Sequence, residues 1–200
     1  MNTVNQNVLQ PHTGDALLIV DVQNDFLPGG SLTVPRGDDV VPALNRYLQI
    51  FAMQNLPVYA TRDWHPALHC SFRAQGGIWP PHCIADTRGA QFAAALQLPP
   101  SAAIISKATT VEQDAYSGFQ GTNLDQQLRS ANIRRLFIGG LATDYCVLNT
   151  VLDALQLGYE VSLLADAIRA VDVQPGDGLR AERKMNELGA HSITVEGVAA

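Results

Sequence analysis

Cysteine is scarce in this 200-residue chain, with Cys70, Cys83 and Cys146 the only three. An odd and small number excludes a disulfide scaffold and points to a reducing, cytoplasmic setting in which the thiols are free for chemistry or metal. Basic residues are outnumbered, 13 Lys and Arg against 19 Asp and Glu. A net charge of −6 argues against nucleic acid or an anionic membrane as a main partner. No apolar run approaches the roughly 20 residues that a membrane span needs. The first 15 residues lack the basic and apolar regions of a secretory signal. There is no internal repeat, low-complexity tract or interdomain linker, so residues 1–200 read as one domain.

What is present is a regular alternation. Short apolar runs at 16–20, 57–61, 102–106, 136–138, 161–165 and 192–195 have strand length, and the unbroken run at 16–20 is the mark of a strand buried on both faces. Between them, 38–54, 91–98, 124–130, the stretch after Cys146 to Leu155, and 177–188 carry apolar residues at helical spacing. This predicts an α/β fold in three layers, a mainly parallel six-stranded sheet with helices on both faces. Residues 66–89 hold Gly, Pro, His and Cys without either periodicity, and a loop of that length inside a compact domain is usually functional.

Four ionisable residues fall at or just beyond the C-terminal ends of predicted strands: Asp21, Asp63, Lys107 and Cys146. In open parallel sheets that edge is where ligands bind. Cys146 follows the two glycines Gly139 and Gly140 and sits in the first turn or so of a helix, with Thr143 or Asp144 as a cap. Unpaired backbone N–H groups and a positive dipole end there make a thiol easier to ionise. Asp21 can accept the thiol proton while Lys107 balances charge, a unit for nucleophilic catalysis. The plainer alternative is a strand-end ion pair beside a packed, inert cysteine.

A second group is Asp63, His65 and His82. Asp63 and His65 are two residues apart, hence on one side of an extended segment. His82, in Trp79-Pro80-Pro81-His82-Cys83, would complete a two-histidine, one-carboxylate set that leaves positions open on a divalent metal. His69, Cys70 and Cys83 are rival ligands for a closed structural zinc site. His12 and His191 read as ordinary loop histidines. Among the aromatics Phe26, Trp64, Trp79, Tyr116 and Phe119, the first three lie in loops beside these charges and suit a flat aromatic ligand, or else anchor the loops. For Phe119 core packing is the reading.

These motifs, Asp21-Val-Gln-Asn-Asp-Phe26, Asp63-Trp-His-Pro66, Trp79-Pro-Pro-His-Cys83, Lys107 with Asp114-Ala-Tyr-Ser117, and Gly140-Leu-Ala-Thr-Asp-Tyr-Cys146, resemble those of the isochorismatase-like cysteine hydrolases, and among them the nicotinamidase (pyrazinamidase) branch. The resemblance runs from about Ala16 to Thr194. It implies hydrolysis of nicotinamide, and of pyrazinamide, to the acid and ammonia through a cysteine thioester, as in NAD salvage. It implies Asp21, Lys107 and Cys146 as the catalytic triad, and Ala142 and Cys146 N–H groups as an oxyanion hole beside a cis Leu141–Ala142 peptide. Phe26, Trp79 and Tyr116 would contact substrate, and Asp63, His65 and His82 would hold zinc or iron, with manganese also compatible. Ser71 (through water) or His69 would complete the coordination. A homo-oligomer is compatible with the family. The sequence departs from it at Ala108, where glycine is usual, and at Thr110, where an acid is common. Hydrolysis of an N-carbamoyl amide, without metal, and a non-catalytic metal-binding module are the rival functions.

Overall fold

Asp15–Val20 is buried at every position and forms β1, the strand around which the sheet is built. The protein was described through a computed structural model, which covers residues 9–199, so the polar leading segment through residue 8 lies outside the described residues. After β1 come α1 (Val40–Met53), β2 (Val58–Asp63), β3 (Ala103–Lys107), α2 (Leu124–Ser130), β4 (Arg135–Leu141), α3 (Leu148–Gln156), β5 (Glu160–Arg169), α4 (Asp177–Glu187) and β6 (His191–Ile193). The strands pair in the order β3-β2-β1-β4-β5-β6, and every pairing is parallel.

The side chains of β1 alternate between two cores. Leu17 and Ile19 join the core closed by α1, through Leu44, Tyr47, Leu48 and Phe51. Ala16, Leu18 and Val20 join the opposite core with Leu128 of α2, Val151 of α3 and Met185 of α4. Because both faces are covered, the strand needs apolar residues throughout, which is why its sequence shows a run instead of an alternation. Fully burying each of these leucines is worth about 1.5–3 kcal/mol. The predicted three-layer α/β fold is therefore the one observed.

Two elements differ from expectation. Gln91–Leu98 is not a helix: Phe92 bridges to Gln23, and the Ala93 N–H donates to the Val22 carbonyl at 3.0 Å. Ala93 and Leu96 are buried in the α1-side core, so their spacing reflects contact with that core. A segment this short, ahead of Pro99 and Pro100, gains too little from helix formation to compete with such pairing. The run at 161–165 is part of a longer strand, β5, whose register against β4 shifts between Ile138 and Gly140.

The chain winds from β1 outward through β2 and β3, then returns to place β4 on the other side of β1. That reversal opens a crevice at the C-terminal ends of β1 and β4, the position at which parallel sheets bind ligands.

Candidate active site

Asp21 directly follows β1, Asp63 ends β2, and Lys107 ends β3. Cys146 comes from the turn after β4, where Gly140 sits at φ 128° and a Cβ would lie 2.1 Å from the Val20 carbonyl oxygen. Only glycine lets β4 run this close to β1. The peptide between Leu141 and Ala142 is cis, as the resemblance implies. The backbone then makes one wide turn, Thr143–Val147, in which the Val147 N–H donates to the Ala142 carbonyl at 3.0 Å. Such i→i+5 turns are rare and concentrate at functional sites. Neither Thr143 nor Asp144 caps it: the residue at the cap is Ala142, with no side-chain hydrogen bond. The Asp144 carboxylate accepts hydrogen bonds from the N–H groups of Val171 and Asp172 instead.

Lys107 is the hub of the buried charges. Its ammonium lies 3.0 Å from Asp21 Oδ2, pairs with Asp63 Oδ1, donates to the Ala115 carbonyl at 3.1 Å and reaches Cys146 Sγ at 3.4 Å. The Thr61 hydroxyl donates to Asp21 Oδ1 at 2.7 Å. A carboxylate oxygen of Asp21, one of Asp63 and the Cys146 sulfur lie within 4.8 Å of one another. Burial disfavours the Lys107 ammonium, but the carboxylates of Asp21 and Asp63 outweigh it and hold the amine protonated. Burial pushes the Asp21 carboxyl above its usual range against the pull of Lys107, and Asp63 adds to the rise.

The thiol departs from expectation. Burial drives Cys146 well above the ordinary thiol value; Lys107 opposes this, and Asp21 and Asp63 reinforce it. A position at a turn end does not offset the desolvation of a side chain that is 6% exposed between two carboxylates. At rest the thiol keeps its proton, and a neighbouring base is needed to take it.

His65 and His82 stand beside Asp63, with one ligand atom of each of the three within 4.8 Å of the others. The Nδ1 of His65 faces the Ala108 carbonyl at 3.2 Å, and that of His82 faces the Pro80 carbonyl at 2.8 Å. A carbonyl only accepts, so both Nδ1 atoms carry the proton and both Nε2 atoms present lone pairs. The His65 Nε2 is buried without a hydrogen-bond partner. A buried lone pair without a donor is free to ligate a cation, and the donor set fits a divalent metal. Burial also presses His82 toward its neutral form, with Asp63 opposing.

The rival ligands are otherwise engaged. His69 Nε2 faces the Gln113 carbonyl at 3.1 Å and its Nδ1 the Ser71 hydroxyl at 2.7 Å, so neither ring nitrogen is free. Its ring stacks on His65 at 4.2 Å, supporting a neighbour in place of binding. Cys70 and Cys83 belong to no metal-competent cluster among the described residues. The Asp21–Asp63–Cys146 cluster encloses the Lys107 ammonium, which already supplies its positive charge.

A cleft over these groups is lined by Phe26, Trp79, Tyr116, Tyr145, Ala142, Cys146, His82, Asp63 and Val171, among others. Trp79 Nε1–H donates to the Tyr116 hydroxyl at 3.0 Å, and Tyr145 packs edge-on to Trp79 at 5.0 Å. Trp64 lies apart, under the Arg62 guanidinium at 3.7 Å, and Phe119 stacks on Tyr159, as core packing requires. A larger hollow beside the end of α1 is lined by Leu48, Gln49, Ala52, Gln97 and neighbours but holds no ionisable side chain. Among the residues that sequence reasoning missed, Tyr145 had a signal in its place beside Cys146. Val171 and the Asp63-clamping Gln23 had none: Gln23 bonds both the N–H and the carbonyl of Asp63 at 2.8 Å.

Residues 15–196 match the isochorismatase domain. A nicotinamidase of Escherichia coli (strain K12) is 42% identical, over 90% of this chain and 94% of its own. A pyrazinamidase of Pyrococcus horikoshii, solved in complex with zinc, superposes with a TM-score of 0.87 at 47% identity, covering 90% of this chain and 99% of its own. PnC1 from L. infantum, solved with nicotinate, gives 0.88 at 35% identity, covering 96% of this chain and 100% of its own. The sheet order, the cysteine turn and these likenesses agree, and the chain belongs to the isochorismatase domain family.

Proposed function

We propose that this chain is an amidohydrolase that converts nicotinamide to nicotinate and ammonia, and accepts pyrazinamide, with Cys146 as nucleophile. The observation that carries the reading is one aromatic-walled cleft lined both by Cys146 and Ala142 and by Asp63 and His82. A thiol and a metal-type donor set in the same slot suit a substrate with a carboxamide on a ring that bears its own lone pair. The activities of its relatives, a nicotinamidase and a pyrazinamidase, support it.

Asp21 takes the thiol proton as Cys146 Sγ attacks the carboxamide carbon. The transfer leaves the net charge of the buried cluster unchanged, so it avoids the cost of adding a second negative charge beside Asp63. The carbonyl oxygen becomes an oxyanion at the Ala142 and Cys146 N–H groups, each worth roughly 3–4 kcal/mol in comparable sites. Among the described residues the Ala142 N–H donates to no other group. Asp21 returns the proton to the nitrogen, the C–N bond breaks, and ammonia leaves a thioester. Water then attacks the thioester carbon, giving its proton to Asp21. The thiolate departs, is reprotonated, and nicotinate is released. Lys107 holds the charges of Asp21 and Asp63 in place throughout.

Asp63, His65 and His82 would hold a divalent metal, zinc, iron or manganese. When bound, it supplies a Lewis acid for the pyridine nitrogen, fixing the ring with its carboxamide toward Cys146. Phe26 and Trp79 flank the ring, and Tyr116 steadies Trp79.

The test is ammonia release by purified, metal-analysed protein given nicotinamide, pyrazinamide and an N-carbamoyl amide. Ammonia from the two aromatic amides is expected. Ammonia from the carbamoyl amide alone would assign a different amidase, and none from any would leave only a binding module.

A further inference from the structure

We infer that Asp144 is a positioning residue that sets the width of the cleft, and so the size of ring the site admits, by strapping Val171 to the nucleophile turn. The inference rests on the Cys146 cleft being the substrate site, as proposed above.

Asp144 lies two residues before Cys146, on the same wide turn. Its two carboxylate oxygens take one hydrogen bond each, from the Val171 N–H and the Asp172 N–H, both at 2.9 Å. Charge-assisted bonds of this kind, one per oxygen, are strong and fix direction as well as distance. They matter here because β5 ends at Arg169, so the backbone after it has left the sheet. Among the described residues these two N–H groups donate to no backbone carbonyl.

The strap continues beyond Asp144. Asp172 adopts φ 52°, and its own carboxylate accepts the N–H of Gly178 in the first turn of α4 at 2.8 Å. Gly178 is pressed against Ala170, where a Cβ would lie 2.6 Å from the Ala170 Cβ. Residues 170–172 are thus held on one side by the Cys146 turn and on the other by α4. The Val171 side chain, halfway along, is part of the cleft wall with Cys146, Trp79 and Phe26. Among the described residues no other hydrogen bond reaches the Val171 N–H, so the hydrogen bonds from this wall to the turn that carries the sulfur run through Asp144.

Two measurements test this, and they fail separately. The first reads access to the sulfur without turnover. Alkylation of Cys146 by iodoacetamide and by N-phenylmaleimide is followed by peptide mass mapping, which separates it from Cys70 and Cys83. Asp144→Ala is expected to raise the bulky-to-small rate ratio at Cys146 by about tenfold, the low end of what one methylene's worth of pocket space gives. Val171→Ala should raise it too, while leaving the turn's bonds intact. Asp144→Asn, which keeps one acceptor oxygen, should raise it less than Asp144→Ala does and keeps the test open if Asp144→Ala does not fold.

The second reads turnover. The kcat/KM of quinoline-3-carboxamide relative to nicotinamide should rise in both variants, and the KM for nicotinamide should rise more than kcat falls. A ratio unchanged on substituting Asp144, whatever Val171→Ala does, or a fall in thermal midpoint with the size preference intact, would reduce Asp144 to a structural bond and overturn the inference. If the unaltered protein releases no ammonia from nicotinamide but the alkylation ratio shifts, the strap stands and the proposed activity falls.

Discussion

Ala108 holds a backbone that alanine resists. It sits at φ 51°, directly after Lys107, and its carbonyl accepts the His65 Nδ1–H. An L-residue in the left-handed region costs roughly 1–2 kcal/mol, while glycine pays about 0.5–1 kcal/mol of extra unfolded-state freedom. Ala108→Gly is therefore expected to stabilise the fold by up to about 1 kcal/mol, read as a rise in the urea midpoint with an unchanged slope. A clear fall would mean that the Ala108 methyl contributes packing that outweighs the strain. At Cys146 the expectation is different in kind. Removing the sulfur in Cys146→Ala should abolish ammonia release while nicotinamide binding, measured by calorimetry, persists. The ring contacts do not depend on the thiol, and turnover of more than about a thousandth of the original would exceed what the remaining site supplies and contradict the covalent route.

At the level of elements, Gly140 decides whether β4 can lie against β1. Its φ of 128° and the 2.1 Å approach of a would-be Cβ to the Val20 carbonyl meet backbone, which cannot swing aside. Gly140→Ala is expected to cost about 3 kcal/mol or more and to lower metal-independent stability along with activity, checked by denaturant unfolding. The same elements show what the sequence carried. Asp21, Asp63, Lys107 and Cys146 were legible as one site because the strands announce themselves as apolar runs, and the ionisable residues at or just beyond the ends of those runs mark the ligand-binding edge. Gln91–Leu98 misled because apolar spacing there records contact with the α1-side core, not helix formation. Asp144 resembled a cap, but its partners lie 27 and 28 residues away on a segment with no periodic signal. The thiol misled for a related reason: ease of ionisation depends on burial and on carboxylates from other strands, and no local spacing encodes either.

Across the whole molecule, Asp63 joins the metal-type cluster to the Asp21–Lys107–Cys146 cluster, since it pairs with Lys107 while facing His65 and His82. This sharing predicts how the protein responds to losing its metal. In a zinc finger the ligands have no other partners, and the apo chain unfolds. Here Asp63 keeps the Lys107 ammonium, the Gln23 amide still clamps its backbone, and both histidines keep their carbonyl partners. Chelated protein should therefore stay folded, with an unchanged far-ultraviolet circular dichroism spectrum at 25 °C. Metal added at one hundred times its Kd should stabilise it by about 2.7 kcal/mol. For a chain of this size that corresponds to a rise of roughly 5–11 °C in the thermal midpoint. His82→Ala removes one donor of three, so its midpoint should respond far less to the same metal. Its affinity for nicotinamide should fall while that for benzamide, which has no ring nitrogen, holds. Equal losses for both amides would show that His82 serves the cleft wall and not the metal.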